Sequence, residues 1–263
     1  MTQHGLLIQV TFSKASKAYD EFSLLQRQIA DELLKKIESV PAGSTVLDIG
    51  MGTGYLLEKL RRSFAAPALY GCDFAFGMLQ QAHENHVPAR LVQADAGALP
   101  FGDNTFALVV SNVSYQWVGD LVAAFREVKR VLRENGKFYF TVFAGQTLGE
   151  LREIILDTRR QGAGSINGTL PTRASVQAAL KELSFCDIKI EEKRSRSYYR
   201  NLGELLSWLK QIGANRYLPQ QLHRGLSART LLNTLSKEYE HRFKEDGKIF
   251  ATFEVLYVQA RKV

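Results

Sequence analysis

The 263-residue chain is 45% hydrophobic and 23% charged, and no apolar run approaches the ~20 residues needed to span a bilayer. That composition fits a soluble globular protein with one sizeable α/β core. The N-terminus, MTQHGLLIQVTFSKASKAYD, lacks the segments of a signal peptide, so a cytoplasmic protein without membrane association is expected. The net charge of +7 invites an anionic partner, and the excess lies late: residues 189–224 hold eight Lys/Arg against three Glu, whereas residues 1–45 hold five of each sign.

Taken in chain order, residues 21–38 place Phe22, Leu25, Ile29, Leu33 and Ile37 at helical spacing, with Pro41 and Gly43 beyond the end. STVLDIG (44–50) is a short β-type run, and TGYLLEKLRR resumes helical periodicity. PALYGCD (67–73) is a second strand, followed by a helix near 76–84; ARLVQAD (89–95) is a third. NTFALVVSN (104–112) is nearly all apolar, as a strand buried on both faces should be. DLVAAFREVKRVLRENG (120–136) predicts an amphipathic helix stopped by Gly136, and KFYFTVF (137–143) a fifth strand. A helix at 172–183 and two long β-type runs, 186–199 and 248–262, complete the chain. Cys72 and Cys186 lie far apart without metal-ligand spacing, and Cys72 reads as a small buried hydrophobe.

Strands alternating with helices from 45 to 143 predict an α/β, doubly wound, mostly parallel sheet. The expected layout is one domain over 1–263. N-terminal helices (1–40) cover the site, a ligand-binding core spans 41–145, and the C-terminal half of the sheet takes 146–200 and 246–263. Residues 201–245 form an inserted helical cap over the sheet edge.

VLDIGMGTG (46–54) lies where a central strand meets a helix, the position of a ligand loop in such sheets. Its spacing is G-x-G-x-G, so the dinucleotide fingerprint G-x-G-x-x-G is not met, and no Gly-Lys-Ser/Thr follows. Asp48 sits two residues before Gly50. A carboxylate there would repel a pyrophosphate and suits a cationic ligand.

Asp48, Gly50, Gly52 and Gly54 resemble the S-adenosylmethionine loop of class I methyltransferases. The resemblance continues through YGCDFAFGML and QADAGALPF. It implies a seven-stranded class I sheet with an antiparallel last strand. It also implies that Asp73 binds the ribose hydroxyls, that Phe74 and Met78 flank the adenine, and that Asp95, with Ala96, meets its amino group. Ser111 and Asn112 end the fourth strand, beside the methionine part. Tyr19 resembles a tyrosine brought over the methyl donor from an N-terminal helix.

The residues also narrow the acceptor. SNVSYQWV follows the fourth strand in place of an Asn/Asp-Pro-Pro-Tyr/Phe motif, which argues against methylation of exocyclic amines. No cysteine there suggests a covalent adduct, and no His/Asp/Glu cluster suggests a metal. No general base is evident near the loop. Hydroxyl and amine nucleophiles need one, whereas a carboxylate is already ionised at pH 7.

FSKASKAYDEFSLLQRQIADELL, SNVSYQWVGDLVAAFREVKRVLRENG, GQTLGELREI, NLGELLSWLKQIGANR and TFEVLYVQARK together resemble the malonyl-carrier-protein O-methyltransferases of biotin synthesis. That resemblance implies methyl esterification of the free carboxylate of malonyl-phosphopantetheine on acyl carrier protein. Arg152 is the expected partner of the malonyl carboxylate. Tyr115, Gln116 and Trp117 are expected to wall the substrate channel, with plain core as the alternative for Trp117. Lys193, Arg194, Arg196, Arg200 and Lys210 are expected to dock the acidic carrier, with Lys14 and Lys17 as the other candidate surface. Three alternatives stay open: a small-molecule carboxylate or quinone methyltransferase, an RNA methyltransferase suggested by RSRSYYR, and a cofactor-binding protein without catalysis.

Overall fold

A computed structural model of the protein describes residues 3–65, 67–159, 170–214 and 226–263. The strands are β1 (Thr45–Ile49), β2 (Ala68–Asp73), β3 (Arg90–Gln93), β4 (Phe106–Ser111), β5 (Leu132–Phe143), β6 (Cys186–Tyr199), the two-residue β7 (Lys244–Glu245) and β8 (Lys248–Arg261). They form one sheet in the order β3-β2-β1-β4-β5-β8-β6, with β7 paired beside β8. β1 to β5 run parallel, and β8 enters antiparallel between β5 and β6. The expected mostly parallel sheet with an antiparallel last strand is therefore present, with β7 as a short addition.

The alternation of the strands builds two cores. Val46, Leu108, Val110 and Tyr139 face one side, while Leu47, Val109, Phe138 and Phe140 face the other. The first side is covered by α2 (Leu24–Lys36) and α3 (Tyr55–Ser63), the second by α5 (Leu121–Val131) and α7 (Arg173–Glu182). Asp120 caps α5 by accepting the Ala123 N–H at 3.0 Å. α5 ends at Val131, before the expected stop at Gly136. Leu132 turns extended and fully buried to pair with Phe106. Gly136 serves the turn beyond: a Cβ there would lie 2.7 Å from the Arg133 carbonyl oxygen.

The expected single helix over 21–38 is two elements. α1 (Gln3–Phe22) and α2 meet at Ser23, buried at φ −90°, ψ 22°. The Trp208 indole N–H, from α8 (Leu202–Gln211), donates to the Phe22 carbonyl at 2.9 Å and satisfies an end that a continuous helix would have used internally. The elbow lets α1 cross the carboxyl ends of the strands and pack on α4 (Phe76–Glu84). Gln9 Nε2 donates to the Phe74 carbonyl, and the Gly77 N–H donates to Ser13 Oγ. Within 201–245, α8 closes against α1, while α9 (Leu226–Arg242) packs on α6 (Gly149–Arg159). Residues 215–225 of the expected cap lie outside the described residues.

The α1–α4 contact depends on one missing methyl group. A Cβ on Gly77 would stand 2.6 Å from the Ser13 carbonyl oxygen and 2.7 Å from its Cα. In an isolated helix Gly→Ala stabilises by about 0.5–1 kcal/mol. Here Gly77→Ala should instead lift α1, so that trypsin cuts at Lys14 and Lys17 faster while far-UV circular dichroism stays native. Unchanged cleavage with a raised melting temperature would show that α1 is not seated on Gly77.

Candidate active site

After β1 the chain turns through Gly50–Gly54 into α3. Gly50 and Gly52 both sit at positive φ, +69° and +56°, which glycine adopts freely. A Cβ on Gly50 would collide with Ser114 at 2.4 Å, whereas one on Gly52 would meet open space. Gly52 is thus the point where bare backbone borders a cavity. Gly54, at φ +92°, caps α3 behind it.

Two carboxylates stand at this turn. Asp73 ends β2, and its oxygens accept the Gly52 N–H at 2.9 Å and the Ala75 N–H at 2.8 Å. A carboxylate offers about four acceptor sites, so capacity remains. Burial pushes Asp73 up to about 6, held back by these backbone N–H groups. Asp48 is almost fully buried on β1. Burial first, and then the charge of Asp73, push it up to about 8, and its Oδ1 has no hydrogen-bond partner. Neither carboxylate has an ion pair among the described residues.

A cavity of about 220 Å³ opens over this turn. Its wall brings together Gly50, Gly52, Asp73, Phe74, Met78, Asp95, Ala96, Asn112, Tyr19 and Trp117, all expected site residues. Ile8 and Phe12 of α1 roof it. Beside it, a hollow of about 50 Å³ is lined by Asp48, Gln26, Arg27 and Asn112. Three buried polar atoms there are unsatisfied: Asp48 Oδ1, Gln26 Oε1 and Arg27 Nε. Two acceptors and one donor of this kind fit a zwitterionic group, an ammonium toward Asp48 and a carboxylate toward Arg27. Asn112 is otherwise engaged, donating to the Gln26 carbonyl and accepting from Thr141 Oγ1. Ser111 lies behind the wall and donates to the Ile49 carbonyl at 2.7 Å, which fixes the turn rather than a ligand.

A third hollow, about 40 Å³, adjoins both, and Tyr19 lines all three. Its wall is mainly apolar: Phe12, Trp117, Phe143, Leu148, Trp208, Leu209, Ile212 and Phe253. Its polar side chains are Tyr19, Gln26, Gln116 and Thr147, none of them a base at neutral pH.

Comparison with known proteins identifies relatives of this chain. A model described as a methyltransferase domain matches residues 47–140. The malonyl-[acyl-carrier protein] O-methyltransferase of Geobacter sulfurreducens is 32% identical over 258 residues, 95% of this chain and 96% of that protein. The chain belongs to this methyltransferase family. It is also 34% identical over 266 residues to the biotin biosynthesis bifunctional protein BioHC of Saccharophagus degradans, covering 96% of this chain and 46% of that one. The fold is shared with phosphoethanolamine N-methyltransferase 2 of Haemonchus contortus, whose structure holds S-adenosyl-L-methionine. The TM-score is 0.60 at 20% identity, over 95% of this chain and 57% of that one.

Other expected residues sit differently around the site. Tyr115 is not a channel wall. It is fully buried among the rings of Phe125, Phe138 and Phe140, because successive side chains of its 3-10 turn (Tyr115–Trp117) point about 120° apart, so that Tyr115 enters the core. Trp117 and Gln116 do line the third hollow. Arg152, on α6, lines none of the three; its Nη2 donates to the Gly145 and Thr147 carbonyls and anchors the loop carrying Thr147 and Leu148.

Four of the five expected docking cations are paired internally. Lys193 meets Glu32 and Glu191, Arg194 meets Glu254 and Glu192, Arg196 meets Glu245, and Arg200 meets Glu204. Lys210 has no ion pair among the described residues. No helix of the described residues is long and apolar enough to cross a membrane, and no described cluster of three or more His, Cys, Asp or Glu has metal-site geometry.

Gln26, Arg27, Phe12 and Asp20 were not evident from sequence. Asp20 accepts from Thr53 Oγ1 at 2.7 Å and Asn85 Nδ2 at 3.2 Å and pairs with Arg27 at 3.0 Å, so one carboxylate ties the α1–α2 elbow to the glycine turn and α4. The only sequence signal was polarity beside the apolar stripe of 21–38.

The raised Asp48 has a consequence for stability. Its unfolded value is ~3.9, so between pH ~4 and about 8 the folded chain holds a proton that the unfolded chain has released. Stability of the ligand-free protein should therefore fall as pH rises through that window, with Asp73 adding to the fall up to about 6. Urea midpoints at pH 5 and 8 should converge in Asp48→Asn. An Asp48→Asn profile parallel to wild type would contradict the assignment.

Proposed function

We propose that this chain is an S-adenosylmethionine-dependent O-methyltransferase that esterifies the free carboxylate of a malonyl group carried on acyl carrier protein, the reaction that opens pimeloyl synthesis for biotin. The observation that carries the reading is near-full-length similarity to the malonyl-carrier family, extending far beyond the residues matched by the methyltransferase domain. The biotin assignment is supported by the naming of the bifunctional relative. A cytoplasmic location follows from this reading, as does a single catalytic unit in which α8 closes the substrate side.

The cofactor's sulfonium supplies an electrophilic methyl group. Asp73 offers its remaining acceptor sites to the ribose hydroxyls, and Phe74 and Met78 bracket the adenine with Asp95 and Ala96 at its edge. Asp48 Oδ1 and Gln26 Oε1 would take the ammonium and Arg27 Nε the carboxylate of the methionine end, which would complete the three unsatisfied atoms. Gly52 allows the close approach.

On the acceptor side, the pocket wall excludes water from a nucleophile that is already ionised. No residue must take a proton, which suits a wall of indole, phenyl, amide and hydroxyl groups. Desolvation strengthens the attraction between carboxylate and sulfonium, and the confined geometry supplies alignment. Tyr19 stands at the junction and closes the methyl donor against the acceptor. Gln26 and Gln116 hold the acceptor with neutral hydrogen bonds. Arg152 positions the wall through the 144–148 loop, whose Gly145 and Thr147 carbonyls accept from its Nη2.

The test is mass spectrometry of acyl groups after incubation with S-adenosylmethionine. Malonyl-carrier protein should gain one methyl group, and acetyl-carrier protein, which lacks the free carboxylate, should gain none. Asp73→Ala should weaken cofactor affinity by about tenfold or more, since hydrogen bonds to a charged group contribute roughly 1.5–3 kcal/mol each. Methylation of acetyl-carrier protein, or of neither substrate, would overturn the assignment.

A further inference from the structure

The cations expected to dock the carrier lie mostly on β6, and their charge is largely answered from within. Their partners come from α2 (Glu32), β7 (Glu245), β8 (Glu254), β6 itself and α8 (Glu204). A surface of alternating paired charges has little field left for an anionic partner.

α1 differs. Its inner face, Ile8, Phe12 and Tyr19, lines the cofactor and acceptor cavities. At 100° per residue the opposite face carries Leu7, Val10, Lys14, Lys17 and Glu21, with Leu6 at its margin. Leu6, Leu7 and Val10 are among the few large apolar side chains left open, at 48%, 61% and 41% exposure. Lys14 and Lys17 are exposed, and neither has an ion pair among the described residues. An apolar half followed by a basic half on one outward helix face is the complement of an acidic helix with apolar residues along it.

We propose that this outer face of α1 is the docking surface for the acidic carrier protein, in place of β6; the inference rests on the carrier-borne substrate argued above. A partner seated there stands about one helix diameter, 10–12 Å, from the acceptor pocket on the inner face. Lys210 is exposed on α8, next to Leu209 of the pocket wall, and extends the basic rim on that side. The apolar residues give contact area, and the lysines steer encounter. Docking on α1 also presses the roof onto the cavities it covers, so carrier binding and closure of the site act in the same direction.

The experiment measures binding of holo-carrier protein to the full chain by calorimetry, alongside methyl transfer to malonyl-carrier protein and to malonyl-pantetheine. Lys14→Glu/Lys17→Glu should raise both the carrier Kd and the KM for malonyl-carrier protein by about tenfold at low salt. Turnover of malonyl-pantetheine should match wild type, which also shows that the variant folds. Leu7→Ser/Val10→Ser should weaken the carrier likewise, while Arg194→Glu/Arg196→Glu/Arg200→Glu should change it less than twofold. The proposal is overturned if the α1 variants bind the carrier as wild type does, or if only the β6 variant fails. It is also overturned if Leu7→Ser/Val10→Ser converts a self-associating chain to a monomer with carrier affinity intact, which would mark the face as a contact between copies. Carrier binding through α1 without methyl transfer would leave the surface standing and remove the proposed reaction. Methylation of malonyl-pantetheine without carrier binding would do the reverse.

Discussion

One buried and one half-buried carboxylate, neither with a cation among the described residues, dominate this molecule. Asp48 and Asp73 stand at the carboxyl ends of adjacent parallel strands, where β1 and β2 both terminate at the ligand side of the sheet. A folded chain gains nothing from such a pair on its own. Each raises the cost of ionising the other, and Asp48 Oδ1 is left without a hydrogen bond. The arrangement makes sense only if something positively charged completes it. The bare backbone at Gly52, the unsatisfied Gln26 Oε1 and Arg27 Nε, and the cavity roofed by α1 follow from the same requirement. The site is held open toward a cation carrying hydroxyl and carboxylate groups.

The roof explains how the site is closed. α1 and α2 do not belong to the sheet core, yet the elbow at Ser23 is tied down from several directions. Trp208 holds the Phe22 carbonyl, Asp20 joins Thr53, Arg27 and Asn85, and the edge-to-face rings of Phe12 and Trp117 lie 5.1 Å apart. Most of these contacts join segments far apart in the chain. The roof thus forms only when the glycine turn, the 3-10 turn and α8 are in place. That couples the cofactor side, the acceptor side and the proposed carrier surface through one helix.

Much of this was legible in the sequence because the signals were local. Short β-type runs marked β1 and β2, a nearly all-apolar run marked β4, and the order of glycine turn, Asp73 and Asp95 marked the ligand side. Amphipathic periodicity marked α5, whose start the structure caps with Asp120, as it caps α7 with Thr172. What escaped depended on distant partners. Nothing near Ser23 breaks a helix, since its neighbours favour one, and the break is stabilised by an indole 186 positions away. Leu132 ended α5 before Gly136 because burial beside Phe106 outweighed continued helix. The charge excess over 189–224 looked like a free basic face because counting along the chain does not see Glu32, Glu245 and Glu254 arriving from other elements. Gln26 and Arg27 sat beside an apolar stripe and looked like solvated helix surface until the elbow turned them toward Asp48.

Completion of the Asp48–Asp73 pair by a cationic cofactor is tested directly by proton linkage. With Asp48 at about 8, its carboxyl is mostly protonated at pH 7 in the free protein, and a bound ammonium would favour the ionised form. Calorimetry of S-adenosylmethionine binding at pH 7, repeated in buffers of different ionisation enthalpy, counts the protons exchanged. Wild type should release about one proton, with an affinity that rises with pH toward 8, and both effects should be lost in Asp48→Asn. Binding with no proton release and no pH dependence would contradict it.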